Sequence, residues 1–426
     1  MVPPIISVTG TKGKTTTVAV IADVLQRLDR NVLKVDTTGH FVNGERRSTL
    51  DDSKNTWRLV PSVCPGRYLW EFHEHPELAE NGVAVLECAL GCSAMSGLGY
   101  RYHDIGVFLN VFEDHIGSSD RIKSKEDIAR AKSFVFSRLK HNNAYAVFNA
   151  DDALVVKTLS ALPSRAENIT LLPCGLTFSE FDIESHLENN GHALTVDDNK
   201  QIVLKSKEET VIIADLTRIP WTFNGEFLPS IWNILSAVAA LYGYYKGDLP
   251  AGFREAVEAV RLDHYGGRLT LLKNDANVTI LADYAHEKIS LGLVADLART
   301  QVTNGGKVIG VVRLAHDRTD ELLIETGHVI APKYDHIIVY DKIDGYWRAP
   351  TTKGSLFKQV AGRTSQVLHD AIADGDTAVE RIIREDEAIA RAAQLAKPGD
   401  VVVVIVNDNI ERSIEFIKEN FTADFV

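Results

Sequence analysis

A lysine set in a glycine turn and followed by threonines stands near the start of the chain, in Gly10-Thr11-Lys12-Gly13-Lys14-Thr15-Thr16-Thr17. These residue types at this spacing suit a phosphate. Backbone N–H groups of such a turn, and the positive end of the helix behind it, face an anion. Lys14 adds a point charge for β/γ-phosphates, and the Thr15 hydroxyl can reach Mg²⁺. The general pattern Gly-x4-Gly-Lys-[Ser/Thr] asks for glycine where this chain has Val8, so the loop is a shorter form. A plain glycine turn between strand and helix has no need of a lysine and several threonines at the helix start.

Other polar groups stand where strand ends could carry them. Glu87 closes the apolar run Gly82-Val83-Ala84-Val85-Leu86. A carboxylate at a strand's C-terminal edge beside a phosphate loop is a reasonable Mg²⁺ ligand, although alone it would more often be solvated. Glu113-Asp114-His115 follows the strand read over 104–111 and is a candidate metal or phosphate site; a lone histidine is more often structural. Lys132 lies on or next to the apolar stripe of a helix read from 124 or 125 to 139. A snorkelling lysine is the commoner fate; a lysine turned toward an active site is the functional one. Asn233, before an apolar helix read over 234–244, could bond an adenine edge or simply start the helix. Thr37-Thr38-Gly39 follows a strand and would lie beside the phosphate loop, or form an ordinary turn.

The elements that must position these groups follow from the hydrophobic pattern. Ile5-Ile6-Ser7-Val8 reads as a buried strand, and Val18, Ala19, Ile21, Ala22, Leu25 and Leu28 recur at helical spacing. Further strands are read at 31–36, 82–87 and 144–149. Short alternating strands then include a hairpin at 193–205. Beyond His264-Tyr265-Gly266-Gly267-Arg268 the alternation restarts, with strands at 278–282, 307–312, 336–340 and 401–406 and helices near 288–300, 320–331, 376–396 and 409–420. The expected fold is α/β. A doubly wound P-loop central domain with a small added β layer occupies 1–263, and a Rossmann-like α/β domain occupies 264–426.

Composition narrows the classes. A chain of 426 residues exceeds one ordinary core. Its 46 basic and 58 acidic residues give a net charge of −12, which argues against nucleic acid and anionic membrane as partners. Cys64, Cys88, Cys92 and Cys174 form no disulfide framework and show no zinc spacing. Met1-Val2-Pro3-Pro4 carries no basic leader pattern and no run reaches membrane-spanning length, so a cytoplasmic location is expected.

Taken in order, these segments resemble the Mur ligase superfamily of ATP-dependent amide ligases over nearly the whole chain. The likeness rests on the 10–16 loop, Glu87, Glu113-Asp114-His115, Ala131-Lys132, Asn149-Ala150-Asp151-Asp152, Asn233, Gly267-Arg268 and Asp283-Tyr284-Ala285-His286. Within the superfamily the sequence is most similar to the Mur-like region of cyanophycin synthetases, through Thr37-Thr38-Gly39-His40, His103-Asp104-Ile105-Gly106 and Asp317-Arg318-Thr319-Asp320-Glu321. It departs from them at Ala89-Leu90-Gly91-Cys92, where they carry an Ala-Arg-Gly-Gly-type stretch. Further departures are Pro229-Ser230 before Asn233 and Trp347-Arg348-Ala349-Pro350. The amino-terminal and ATP-grasp modules of those enzymes, and a UDP-muramoyl-binding domain, are not represented. The same chemistry on a different substrate is therefore expected.

The resemblance implies a route in which ATP activates a small-molecule carboxylate as an acyl phosphate and an amine then displaces phosphate. Lys14 and the loop residues Gly10, Thr11, Lys12, Gly13, Thr15 and Thr16 would hold the nucleotide. Thr15 and Glu87 would bind one of two Mg²⁺ ions, and His115 and Lys132 would serve the second. In many relatives the lysine matching Lys132 is carbamylated. Asn233 would contact adenine, Arg268 and Asp283 phosphate and ribose, with His286 nearby. Arg313, Arg318 and Arg348 are weaker candidates for a carboxylate-bearing substrate. Variants of this reading are intramolecular lactam formation and amidation with ammonia. A non-catalytic ATP-binding subunit is the other class. Absence of Asn-Lys-x-Asp and Leu-Ser-Gly-Gly-Gln motifs disfavours a GTPase or transporter ATPase. A homo-oligomer, or a partner subunit that supplies substrate, is compatible with the sequence.

Overall fold

The structure is a computed structural model that describes residues 3–47, 60–92, 97–113, 116, 121–140, 142–162, 168–262, 269–315, 318–341, 362–407 and 409–426. The chain divides into two compact units, Met1–Ile116 with Asp120–Leu262, and Gly117–Ser119 with Asp263–Val426.

In the first unit the strands are β1 (Ile5–Thr9), β2 (Val32–Asp36), β3 (Gly39–Val42), β4 (Glu45–Arg47), β5 (Val83–Glu87), β6 (Ile105–Phe108), β7 (Ala144–Asn149), β8 (Ile169–Cys174), β9 (Ala193–Val196), β10 (Gln201–Lys205) and β11 (Thr210–Asp215). They form one sheet in the order β11-β10-β9-β8-β7-β6-β1-β5-β2-β3-β4. The strands from β2 through β5, β1, β6 and β7 to β8 run parallel. The short strands expected as an added β layer continue this sheet at its edge, where β9, β10 and β11 pair antiparallel.

A parallel strand buried on both faces is a continuous apolar run, and β1 and β5 fit that description. Ile6, Val8, Val83 and Val85 join the core built with helices Lys14–Arg27 and Leu228–Tyr244. Their neighbours Ile5, Ala84 and Leu86 join the opposite core with Phe134, Val135 and Phe136. This period-2 alternation places helices on both faces and makes the sheet doubly wound. The chain passes from β1 to β2 on one side and later to β6 on the other, so the strand order reverses at β1. Ligands of such sheets bind outside the carboxyl ends of the strands at that point.

Two expectations about helices in this unit change. The helix read up to 139 stops at Lys132, and a short one, Phe134–Ser137, follows. The Ser133 hydroxyl bonds back to the Arg130 carbonyl, and the Val135 carbonyl takes the His103 ring at 2.8 Å instead of a helical N–H. The other helix begins at Leu228 with Pro229 in its first turn, so Asn233 lies inside it rather than before it.

The second unit contains β12 (Thr270–Asn274), β13 (Thr279–Asp283), β14 (Val308–Val312), β15 (His336–Val339), β16 (Ala378–Arg381), β17 (Val401–Ile405) and β18 (Ala423–Phe425), ordered β16-β15-β14-β17-β13-β12-β18. All pairs are parallel except those of β12 with β13 and β18. The helix expected over 376–396 is a strand followed by the helix Glu385–Leu395. Parallel pairing of residues 378–381 with β15 outweighs their helical pattern. Among the described residues no helix is long and apolar enough to cross a membrane.

Candidate nucleotide site

The loop from Gly10 to Gly13 leaves β1 at the reversal point and turns into the helix Lys14–Arg27. Its glycines are required by contact. A Cβ on Gly10 would lie 2.8 Å from Leu109 Cβ, and one on Gly13 would lie 2.0 Å from Asn233 Oδ1. Gly13 also holds φ at +83°, a left-handed conformation that L side chains avoid. The loop is pinned from the end of β6. Asn110 takes the Thr11 N–H on its main-chain carbonyl at 3.0 Å. Its side chain accepts from the Lys12 N–H at 2.8 Å and donates to the Lys12 carbonyl at 3.2 Å. Thr11 Oγ1 accepts from the Phe112 N–H at 3.0 Å. Lys14 Nζ donates to the Thr11 carbonyl at 3.0 Å, which keeps the ammonium over the loop.

Register places Glu87 opposite Val8, one residue before the end of β1. The Thr15 hydroxyl donates to Glu87 Oε2 at 2.9 Å. Thr37 adds its N–H to the same oxygen at 3.1 Å and its hydroxyl to Oε1 at 2.8 Å. A carboxylate has about four acceptor sites; three are taken by these donors, and one remains. Thr15, having spent its proton on Glu87, keeps its lone pairs. An oxygen-only donor set of this kind fits Mg²⁺, which takes few protein ligands and completes its shell with phosphates and water. Among the described residues no group of three or more His, Cys, Asp or Glu side chains is arranged to hold a metal.

Lys132 is 3% exposed, and its Nζ lies 3.5 Å from the hydroxyl of Thr9, the last residue of β1. The helical stripe therefore carries it inward, beneath the phosphate loop, and it does not snorkel. Asn233 is buried in the second turn of its helix, with its amide against Gly13. Glu113 forms an ion pair with Lys125 at 3.6 Å. Cys88 and Cys92 are buried free thiols: Cys92 donates to the Ser62 carbonyl, and Cys88 meets the Tyr100 hydroxyl at 3.4 Å. Burial, with the Cys88 sulfur beside it, holds the Tyr100 hydroxyl well above its ordinary range, so it acts here as a neutral partner, bonded to Ser7 at 2.7 Å.

In the second unit Asp283 ends β13 and accepts the Leu269 N–H at 2.8 Å. The His286 ring bonds the Tyr284 carbonyl at 2.8 Å through Nδ1 and packs edge-on to the Tyr284 ring. Arg313 is not a surface arginine: it is 1% exposed, donates to the Val406 carbonyl at 2.6 Å and lies over Tyr284. Arg318 is 5% exposed. Asp114, His115, Arg268 and Arg348, and the residues 264–267 at the boundary, lie outside the described residues.

Sequence reasoning gave no role to Asn110 or Ser62, and took Asp152 only as part of the 149–152 segment. Asp152 caps the helix Ala153–Lys157, and its other oxygen accepts the Val111 N–H at 2.8 Å, fixing the segment that carries Asn110. Burial raises the Asp152 pKa above the usual carboxylate range, against the pull of those bonds. The one signal available for Asn110 was an amide at a strand end, directly after the apolar run of β6.

Comparison with known proteins agrees with this geometry. A family model described as the Mur ligase middle domain matches residues 8–240, and one described as the Mur ligase glutamate ligase domain matches residues 267–405. Cyanophycin synthetase of Trichormus variabilis is 30% identical over 417 residues, an overlap covering 97% of this chain and 42% of that protein. The chain thus spans under half the length of that relative. UDP-N-acetylmuramyl-tripeptide synthetase of Limosilactobacillus reuteri is 24% identical over 434 residues, covering 92% of this chain and 78% of that one. Among solved structures, E. coli FolC in complex with ADP superposes with a TM-score of 0.64 at 16% identity, covering 99% of this chain and 90% of FolC. A pseudomurein peptide ligase type C from Methanothermus fervidus gives 0.62 at 16%, covering 98% and 79%. At such identities the superpositions speak to the fold. The glycine loop, the carboxylate facing it and the two matched models together show that the chain belongs to the Mur ligase family.

Proposed function

We propose that this chain is an ATP-dependent carboxylate–amine ligase that joins an amine, such as an amino acid, to a small-molecule carboxylate and releases ADP and phosphate. The observation that carries this reading is the Thr15–Glu87 contact at the mouth of the Gly10–Gly13 loop, with Lys132 buried beneath it. Family membership and the ligases among its relatives support it.

Amide formation from a carboxylate in water is uphill. Transfer of the γ-phosphoryl group makes an acyl phosphate, and the amine then expels phosphate. Such transfer needs positioning and charge neutralisation more than covalent help from the protein. Lys14 and the N–H groups at the helix start hold the β/γ-phosphates, with Gly10, Thr11, Lys12, Gly13 and Thr16 shaping the cradle. Thr15 and Glu87 would hold one Mg²⁺ ion, and His115 with a carbamylated Lys132 would hold a second. Mg²⁺ supplies charge neutralisation on the transferring group. Asn233 meets the adenine side of the cradle, and Arg268, Asp283 and His286 serve phosphate and ribose. The functional boundary falls between residues 263 and 264. The four cysteines are free, which suits a reducing cytoplasm.

The test is amine-dependent release of ADP and phosphate from Mg·ATP in the presence of pooled carboxylates and amino acids, with mass spectrometry of the product. Turnover that needs both partners is expected. Failure to bind ATP with Mg²⁺ would end the ligase reading.

A further inference from the structure

The carboxylate of Glu87 is gripped from a direction the phosphate loop does not supply. Thr37, the first residue beyond β2, reaches both of its oxygens, one through the backbone N–H and one through the hydroxyl. Two donors from one residue on two oxygens set the plane of the carboxylate as well as its position. Thr37 is itself braced. Its Oγ1 lies 3.2 Å from the Ser62 hydroxyl. The Thr37 proton is spent on Glu87, so Ser62 is the donor to Thr37. Ser62 is 1% exposed. Its carbonyl accepts the N–H of Ala89 at 2.9 Å and the thiol of Cys92 at 2.9 Å. The circuit from Glu87 through Thr37 and Ser62 therefore closes on Ala89, in the segment that follows the carboxylate.

We propose that Thr37, braced by Ser62, is a positioning residue that presets the Glu87 carboxylate for a divalent cation. The inference rests on the reading of Glu87 as a cation ligand. A free glutamate side chain must give up rotamer freedom when it ligates; here that cost is met on folding. Polar partners behind a ligand change metal affinity by roughly 10–100-fold when removed.

The experiment titrates Mn²⁺ into the full chain with saturating ADP and reads free Mn²⁺ by electron paramagnetic resonance. Thr37→Val removes the hydroxyl at nearly constant volume and keeps the N–H. Mn²⁺ affinity about 10-fold weaker is expected, with ADP affinity measured without metal unchanged, and recovery in Thr37→Ser. Ser62→Ala should move affinity the same way by a smaller factor. If Glu87→Gln loses Mn²⁺ while Thr37→Val binds it like the parent, the positioning role is overturned and the ligand reading stands. A lowered melting temperature in Thr37→Val with unchanged Mn²⁺ affinity overturns it equally. If Glu87→Gln itself binds Mn²⁺ unchanged, the ligand reading falls and takes the proposal with it. Should Thr37→Val not fold, Ser62→Ala decides, and unchanged Mn²⁺ binding there overturns the role.

Discussion

Gly13 and Asn233 stand so close that a Cβ on the glycine would sit 2.0 Å from the asparagine's Oδ1. Asn233 is buried in a helix packed on the one that starts at Lys14, so its amide has little room to withdraw. Gly13→Ala must also hold an L residue at φ +83°. A stability loss of about 1–3 kcal/mol is expected from the backbone alone, along with ADP binding weakened about 10-fold or more. Calorimetric titration with ADP, paired with a thermal melt, checks both.

Asn110 holds the loop by both its main chain and its amide. Asn110→Ala leaves the Lys12 N–H and carbonyl without these partners. Losses on the order of 1–3 kcal/mol follow from removing these two hydrogen bonds, to be read as weaker ADP binding and faster amide exchange at Thr11 and Lys12. Asp152→Asn, which disturbs the bond to Val111, should move both readouts the same way by less.

Lys132 is buried beneath the loop, out of reach of solvent. Lys132→Ala should abolish amine-dependent ADP release while leaving ADP affinity within a few-fold. Retention of full turnover by the variant would remove Lys132 from the reaction. If carbamylation is required, activity of the parent should fall when bicarbonate is stripped from the buffer and return on its addition.

His103 offers a pH test independent of activity. Its Nε2–H donates to the Val135 carbonyl, and Nδ1 has no partner among the described residues. Burial pushes its pKa down to about 4 from 6.5. The unfolded chain therefore binds the proton first as pH falls. The contribution to stability is whole above pH 6.5 and drains away toward about 4, by about 3 kcal/mol in all. Urea midpoints measured between those values should fall with acid, and His103→Gln should flatten the dependence over that window.

Much of the site was legible because it is local. The 10–17 segment carries turn, charge and helix start within one stretch, and Glu87 was marked by its place at a strand end. What escaped was supplied by distant pairing. Asn110 meets Lys12 across 98 residues, and Thr37 meets Glu87 across 50, so nothing near either residue announces its partner. The same holds for the fold. Buried parallel strands were evident from continuous apolar runs. The helical segment stops at Ser137, where His103 takes the Val135 carbonyl that a continuing helix would have kept, and the strand at 378–381 exists through its pairing with β15. The inward turn of Lys132 and the burial of Arg313 are likewise decided by what packs around them.

β1 has a parallel neighbour on each side and a helical layer over each face. The loop that grows from its end is thus moored to the part of the first unit with the least freedom to open on its own. Fraying at the outer strands can come and go without loosening the phosphate cradle. Heat should then break the cradle itself only when the first unit melts, leaving no warm interval in which that unit stays folded with its phosphate loop undone.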